Sequence, residues 1–143
     1  MPSEPSAATT WRSDATAARR GPVYAIVVNY RTPGLTAAAV AHLRAGAPSD
    51  RDLVVYVVDN GSGDDSIARL RATCPDTVLI ASPTNLGFAG GNNLALRDIV
   101  ATVPAGTDRD DAFVLLLNSD VEVERDTLGA CLAFMDDHPR VGI

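Results

Sequence analysis

Residues 23–32 read Val-Tyr-Ala-Ile-Val-Val-Asn-Tyr-Arg-Thr, a run that is largely apolar to Val28 and turns polar at Asn29. Apolar side chains on successive positions, rather than on alternate ones, fit a strand buried on both faces, as in a parallel sheet covered by helices. The pattern returns at residues 53–62, Leu-Val-Val-Tyr-Val-Val-Asp-Asn-Gly-Ser. With shorter runs at 77–81 and 113–117, four strands are predicted, over 23–29, 53–58, 77–81 and 113–117.

The stretches between these strands have helical character. Leu35, Ala38, Ala39, His42 and Leu43 recur at helical spacing, and Gly46 supplies the stop. A second helix starts after Asp64 or Asp65 as N-cap, carries Ile67 and Leu70 inward and ends before Pro75. A third is expected over about residues 92–101. A fourth takes Asp126 as N-cap and buries Leu128, Cys131, Leu132 and Met135 ahead of Pro139. This βαβα rhythm predicts an α/β fold, a mainly parallel sheet with helices on both faces. Val141 opens another apolar run, so the sequence reads as stopping at the start of a fifth strand, with the domain incomplete at its C-terminus. Residues 1–21, rich in Ala, Ser, Thr and Arg, read as a disordered leader, and residues 22–143 as the domain.

Composition removes several classes of function. The net charge of −6 arises from 18 acidic residues against 12 arginines, with no lysine anywhere. A nucleic-acid binder needs a basic stripe to displace phosphate counterions, and the Arg19-Arg20 pair does not make one. The longest apolar runs fall far short of the ~20 residues that span a bilayer. No transmembrane segment is expected, although an Arg-containing leader leaves peripheral contact with an anionic membrane open. Cys74 and Cys131 lie far apart and match no CxxC pattern, which points to buried free thiols in a reducing cytosol.

Open parallel sheets bind ligands outside the carboxyl ends of their strands. There the sequence is unusually polar, with Asn29-Tyr30-Arg31-Thr32, Asp59-Asn60-Gly61-Ser62, Asn85 through Gly87 to Asn93, and Asn118-Ser119-Asp120 expected on one rim. Asp59 can accept hydrogen bonds from a base or ribose, or can simply close an Asx-turn that ends its strand. The glycines of residues 87–93 can bring backbone amides to phosphate oxygens at the start of the third helix, or can form a plain loop. Their spacing is not GxGxxG, and they follow the third strand, which does not fit a dinucleotide-binding dehydrogenase. Asp120 is aimed at the rim and suits a hard cation sharing its shell with substrate phosphates. Glu122 and Glu124 read as surface acids.

Taken together, VVNYRT, VVDNGSGDDS, NLGFAGGNN and LLLNSDVEV resemble the family 2 glycosyltransferases with the GT-A fold, particularly their rhamnosyltransferase-like branch. The resemblance covers nearly all of residues 23–143. It implies that Asn29, Tyr30 and Asp59 hold the nucleoside, while Gly90, Gly91, Asn92 and Asn93 line the diphosphate. Arg31, Asn60, Asn85, Gly87 and Asn118 fall in the same donor-binding blocks. Asn118-Ser119-Asp120 stands in for the family's DxD motif, with Asp120 ligating Mg²⁺ or Mn²⁺ and Asn in place of the first acid. The implied reaction moves a sugar, with rhamnose among the candidates, from a dTDP-, UDP- or GDP-linked donor to a glycan or lipid-linked acceptor. It proceeds with inversion, in the cytoplasm or at the inner face of the membrane. No acid in the chain corresponds to the general base, which the family places beyond the point where this sequence stops. Two other readings remain on the sequence alone. One is a non-catalytic nucleotide-sugar-binding module or an inactive gene fragment. The other, a phosphoryl-transfer domain, generally needs a lysine that this chain lacks.

Overall fold

The computed structural model describes residues 20–103 and 112–142. The leader up to residue 19, the polar segment 104–111 and Ile143 lie outside the described residues. Eight elements alternate: β1 (Val23–Asn29), α1 (Pro33–Ala45), β2 (Leu53–Asn60), α2 (Ser66–Thr73), β3 (Val78–Ser82), α3 (Gly87–Thr102), β4 (Phe113–Asn118) and α4 (Thr127–Asp137). The strands form one parallel sheet in the order β3-β2-β1-β4. All four predicted strands are present, with β2 running on to Asn60 and β4 to Asn118.

Side chains alternate across the sheet, and both sides are covered. Ala25, Val27, Val55, Val57 and Leu117 pack under α1, α2 and α4 through Ala39, Val40, Leu43, Leu70, Leu128 and Leu132. Ile26, Tyr56 and Val58 face the other way, against Ala95 and Ile99 of α3. Each large aliphatic so buried contributes about 1.5–3 kcal/mol relative to exposure. No helix among the described residues is long and apolar enough to cross a membrane.

Several local expectations are corrected. The buried stripe of α1 is Pro33, Thr36, Ala39, Val40 and Leu43. Leu35 is 51% exposed, and Ala38 and His42 also face outward. Ala39, Val40 and Leu43 pack on the sheet, and Thr36 shares their row, where its hydroxyl donates to Asn29 Oδ1 at 2.8 Å. At α2 the residue before the helix is Asp65, yet Asp64 Oδ1 accepts the Ser66 amide at 2.9 Å. In α4 only Leu128 and Leu132 are buried; Cys131 is exposed and Met135 half-buried, so the expectation of two buried thiols holds for Cys74 alone. Val141 and Gly142 are not in a strand.

The amino ends of the strands are tied by charge. Arg51, 5% exposed, donates to the Gly21 carbonyl at 3.0 Å and to Asp136 Oδ1 at 2.5 Å. Arg20 also pairs with Asp136. This clasp fixes the end of the sheet away from the polar rim and joins α4 to β2.

Candidate functional site at the carboxyl rim

Parallel pairing in register brings the strand ends level: Asn29 lies opposite Asp59, Asn60 opposite Ser82, and Val28 opposite Asn118. The alternation of the pleat then separates these ends into two groups. Asn29 and Asp59 share the parity of the α1-side core, whereas Val28, Asn60 and Asn118 share that of the α3 side.

Asn29 and Asp59 therefore point into the fold and are 0% and 1% exposed. Asn29 Nδ2 donates to Asp59 Oδ1 at 2.8 Å, Ser62 Oγ donates to the same oxygen at 2.5 Å, and Ser62 N donates to Asp59 Oδ2 at 3.2 Å. Thr36 completes the set from α1. Asp59 thus closes the turn through Ser62, and neither it nor Asn29 reaches open space at the rim, contrary to the expectation of a carboxylate exposed to ligand. The Asn-Gly-Ser bend depends on Gly61 at φ 71°, where a Cβ would collide with the Thr84 backbone.

The α3-side group opens onto a cavity of about 430 Å³. Tyr30, Asn60, Asn85, Asn118 and Asp120 supply its polar lining, and Leu35, Val28 and Phe88 its apolar wall. Tyr30 is 41% exposed and Phe88 52%. Such a volume, mixing aromatic surface with a few convergent polar groups, suits a small-molecule ligand.

The glycine-rich stretch is corrected most. Residues 87–93 are not a loop; they form the first two turns of α3, which starts five residues earlier than predicted. Asn85 and Asn60 make this possible. Asn85 Oδ1 accepts the Gly87 amide at 2.8 Å, Asn60 Oδ1 accepts the Leu86 amide at 3.0 Å, and Asn60 Nδ2 donates to Asn85 Oδ1 and to the Gly87 carbonyl. Side-chain acceptors thereby satisfy amides that a helix start leaves unpaired. Gly91 faces the sheet, where a Cβ would sit 2.9 Å from Val28 Cγ1. Gly90 abuts Leu86 in the same way. Asn92 is buried and donates to the Phe88 carbonyl at 2.9 Å. Asn93 is on the outer face of α3 beside Arg97 and Val100 and is not brought to the rim.

Arg31 leaves β1 in the left-handed region, φ 58°. Its amide donates to Ser62 Oγ at 2.9 Å, its Nε to the Ser62 carbonyl at 3.0 Å, and its guanidinium carbon lies 5.2 Å from the Tyr30 ring centre. Nearby, Ser66, whose amide donates to Asp64 Oδ1 at 2.9 Å, holds the Asp64 carboxyl below its usual value, and the Arg31 charge adds to the effect.

A divalent cation needs hard oxygen donors. Asp120, in the turn after β4, and Asn118 bring carboxylate and amide oxygens to the cavity. Among the described residues, no three His, Cys, Asp or Glu groups cluster to hold a metal. The donors present fit a cation that also takes oxygens from its ligand, and they do not make an all-protein cage. Glu122 and Glu124 are exposed and do not line the cavity. Sequence reasoning placed Ser62 and Phe88 on the rim but missed Thr36 and Leu35; the strand parity of Asn29 and Asp59 and the seven-residue step to Thr36 were the available signals.

A family model described as glycosyl transferase family 2 matches residues 24–143. Among solved structures, the mannosyltransferase PcManGT from Pyrobaculum calidifontis, in complex with GDP-Man and Mn²⁺, is similar with a TM-score of 0.65 and 26% identity. The match covers 81% of this chain and 32% of that one. S. aureus TarS 1–349 in complex with UDP-GlcNAc is similar with a TM-score of 0.60 and 26% identity, over 82% of this chain and 32% of that one. The chain thus spans about a third of the length of these structures. No curated protein sequence matches it.

Proposed function

The chain belongs to glycosyl transferase family 2, and from that premise we propose that its rim cavity binds the nucleotide diphosphate sugar donor of an inverting sugar transfer. The acceptor is a hydroxyl of a cell-surface glycan or lipid acceptor, and rhamnose is a candidate for the sugar. One observation carries the reading: an exposed aromatic, Tyr30, and an oxygen-donor pair, Asn118 and Asp120, line the same 430 Å³ cavity at the carboxyl ends of parallel strands. Tyr30 offers the base a stacking face, an interaction that every nucleobase can make. The amino end of α3, set by Asn60 and Asn85, places Gly87 beside the diphosphate, where the partial positive charge of a helix start favours anions. Asn29 and Asp59 act from below as a rigid floor, and Gly90, Gly91 and Asn92 fix how closely α3 approaches.

Asp120 and Asn118 would hold Mg²⁺ or Mn²⁺ together with diphosphate oxygens. Bound there, the cation supplies neutralisation of the charge that develops on the leaving diphosphate. Inverting transfer also needs a general base at the acceptor hydroxyl. Asp120 is the one acid among the described residues that lines the cavity, and its proposed task is the cation. Donor binding, not turnover, is therefore the activity proposed for this chain by itself. The two free thiols agree with a reducing, cytoplasmic setting, at or near the inner face of the membrane.

Calorimetric titration of the chain with UDP, dTDP and GDP, with and without Mn²⁺, tests this reading. The expected result is Mn²⁺-dependent binding of one diphosphate, lost in Asp120→Ala. A folded sample that binds none of them would leave the family likeness as ancestry without donor binding.

A further inference from the structure

The rim holds one strained residue that the donor site as described does not use. Arg31 is the single non-glycine residue at positive φ among the described residues, and a left-handed arginine persists only where its surroundings enforce it. Ser62 enforces it twice, accepting the Arg31 amide on Oγ and the Nε on its carbonyl. Ser62 is 1% exposed and tied to Asp59, so the anchor is rigid. The guanidinium held in this way lies over the Tyr30 ring, 5.2 Å from its centre. Tyr30 and Thr32 line the cavity, whereas Arg31 between them does not.

We infer that Arg31 is a positioning residue: it holds the Tyr30 ring as a fixed stacking platform for the nucleobase and does not itself engage the diphosphate. The inference rests on the donor-site reading above and says how that site recognises the base. Three features support it over direct phosphate contact. The Nε is already committed to the Ser62 carbonyl. The charge is partly answered by Asp64, whose carboxyl it helps hold low. The cation also sits on the ring face, where the quadrupole is negative and the attraction favourable. Holding one ring orientation removes a freedom that an exposed tyrosine would otherwise lose only when the base binds.

The test separates base from phosphate. Arg31→Asn suits it because Asn tolerates the left-handed backbone and lacks the guanidinium. Arg31→Lys keeps the charge and loses the Nε hydrogen bond to Ser62. Each variant is titrated with a nucleoside, its monophosphate and its diphosphate, using the base that the wild-type chain prefers. Both are expected to weaken all three ligands by the same factor, about twofold to fivefold, the range of an exposed cation–π contact. On a Tyr30→Ala background, Arg31→Asn should cause no further loss. A loss that grows with phosphate number, or one fully additive with Tyr30→Ala, overturns the inference. A ligand-free reading is the NMR spectrum of the Tyr30 ring protons, expected to move toward averaged, solvent-like shifts in Arg31→Asn. Unchanged ring signals overturn the positioning role whether or not a nucleotide binds. Failure of the wild-type chain to bind any nucleotide strikes instead at the donor-site reading.

Discussion

Asn29 and Asp59 stand side by side at the ends of β1 and β2, joined by a 2.8 Å hydrogen bond from the amide Nδ2 to Oδ1, and both are essentially inaccessible to solvent. Ser62 bonds the carboxylate and Thr36 bonds the Asn29 amide oxygen, so one buried network joins two strands, a turn and, through Asn29, a helix. Removing a partner from such a set leaves a buried donor or acceptor unsatisfied, at about 1–3 kcal/mol and more where a charge is involved. Asp59→Ala is therefore expected to destabilise the chain by roughly 3 kcal/mol, with Asp59→Asn costing less because its amide oxygen can still accept from Asn29. Urea denaturation midpoints check this. Equal stability of Asp59→Ala and wild type would show that the group does not hold the rim together.

Two helical glycines should respond to the same substitution with opposite signs. Gly91 of α3 lies against Val28, where a new Cβ meets Cγ1 at 2.9 Å and the helix must move off the sheet. Gly91→Ala is expected to cost about 1–3 kcal/mol, the range for overpacking, despite alanine's better helix propensity. Gly129, inside α4, has nothing within 4 Å of a built Cβ. Gly129→Ala should stabilise by about 0.5–1 kcal/mol. Thermal unfolding of the two variants reads both signs.

The strands were legible in the sequence because each is a continuous apolar run. The burial on both faces that such a run implies holds for β1 and β2, whereas Val78 of β3 and Val114 and Leu116 of β4 are exposed because these two strands lie at the edges of the sheet. The helices were legible in place but not in rotation. In α1 the exposed Leu35 and the buried Thr36 reverse what hydrophobicity suggests at those two positions: Pro33, Ala39, Val40 and Leu43 form the buried row, Thr36 lies in it with its hydroxyl satisfied by Asn29, and Leu35 falls outside it on the cavity wall. The start of α3 was hidden for a related reason. Residues 87–93 hold three glycines and two asparagines, poor helix formers whose turn there depends on Asn60, 26 residues away from the Leu86 amide it caps. Local pattern cannot contain a partner at that distance. The roles of Asn29 and Asp59 depended on a different signal. Counting by twos from Val27 and Val57 places both on the α1 side, away from the cavity that Asn60 and Asn118 face.

The start of α2 should weaken in acid. The folded chain lowers the Asp64 carboxyl chiefly through Ser66, whose amide donates to Asp64 Oδ1 at 2.9 Å, with Arg31 assisting. A carboxyl whose folded pKa lies below its unfolded value adds stability that is fully present above the unfolded value and is lost as pH falls through the folded one. The difference in urea midpoint between wild type and Asp64→Asn should therefore be constant near neutrality and shrink below the ordinary carboxylate range. A difference independent of pH down to the folded titration of Asp64, followed by NMR, would contradict the assignment of this hydrogen bond to the charged form. The group is exposed, so the effect should be small and screened by salt.

The edge of the sheet carries the final expectation. β4 closes the strand order on one side and has no further partner strand among the described residues. Val114 and Leu116 on it are 46% and 49% exposed, and a recess of about 700 Å³ beside it is lined by Leu128, Cys131, Leu132 and Met135. An apolar strand with unpaired backbone groups is a template for pairing with another chain. The purified chain is expected to self-associate as its concentration rises, and Leu116→Lys, which puts a charge on that face, should shift the population toward monomer in sedimentation velocity. Because Leu116 is half-exposed and faces away from the Leu117 side of the core, the substitution should leave the urea midpoint close to wild type. A monomeric wild type at high concentration, or a lysine variant that associates as readily, would mean that the exposed edge is protected in some other way.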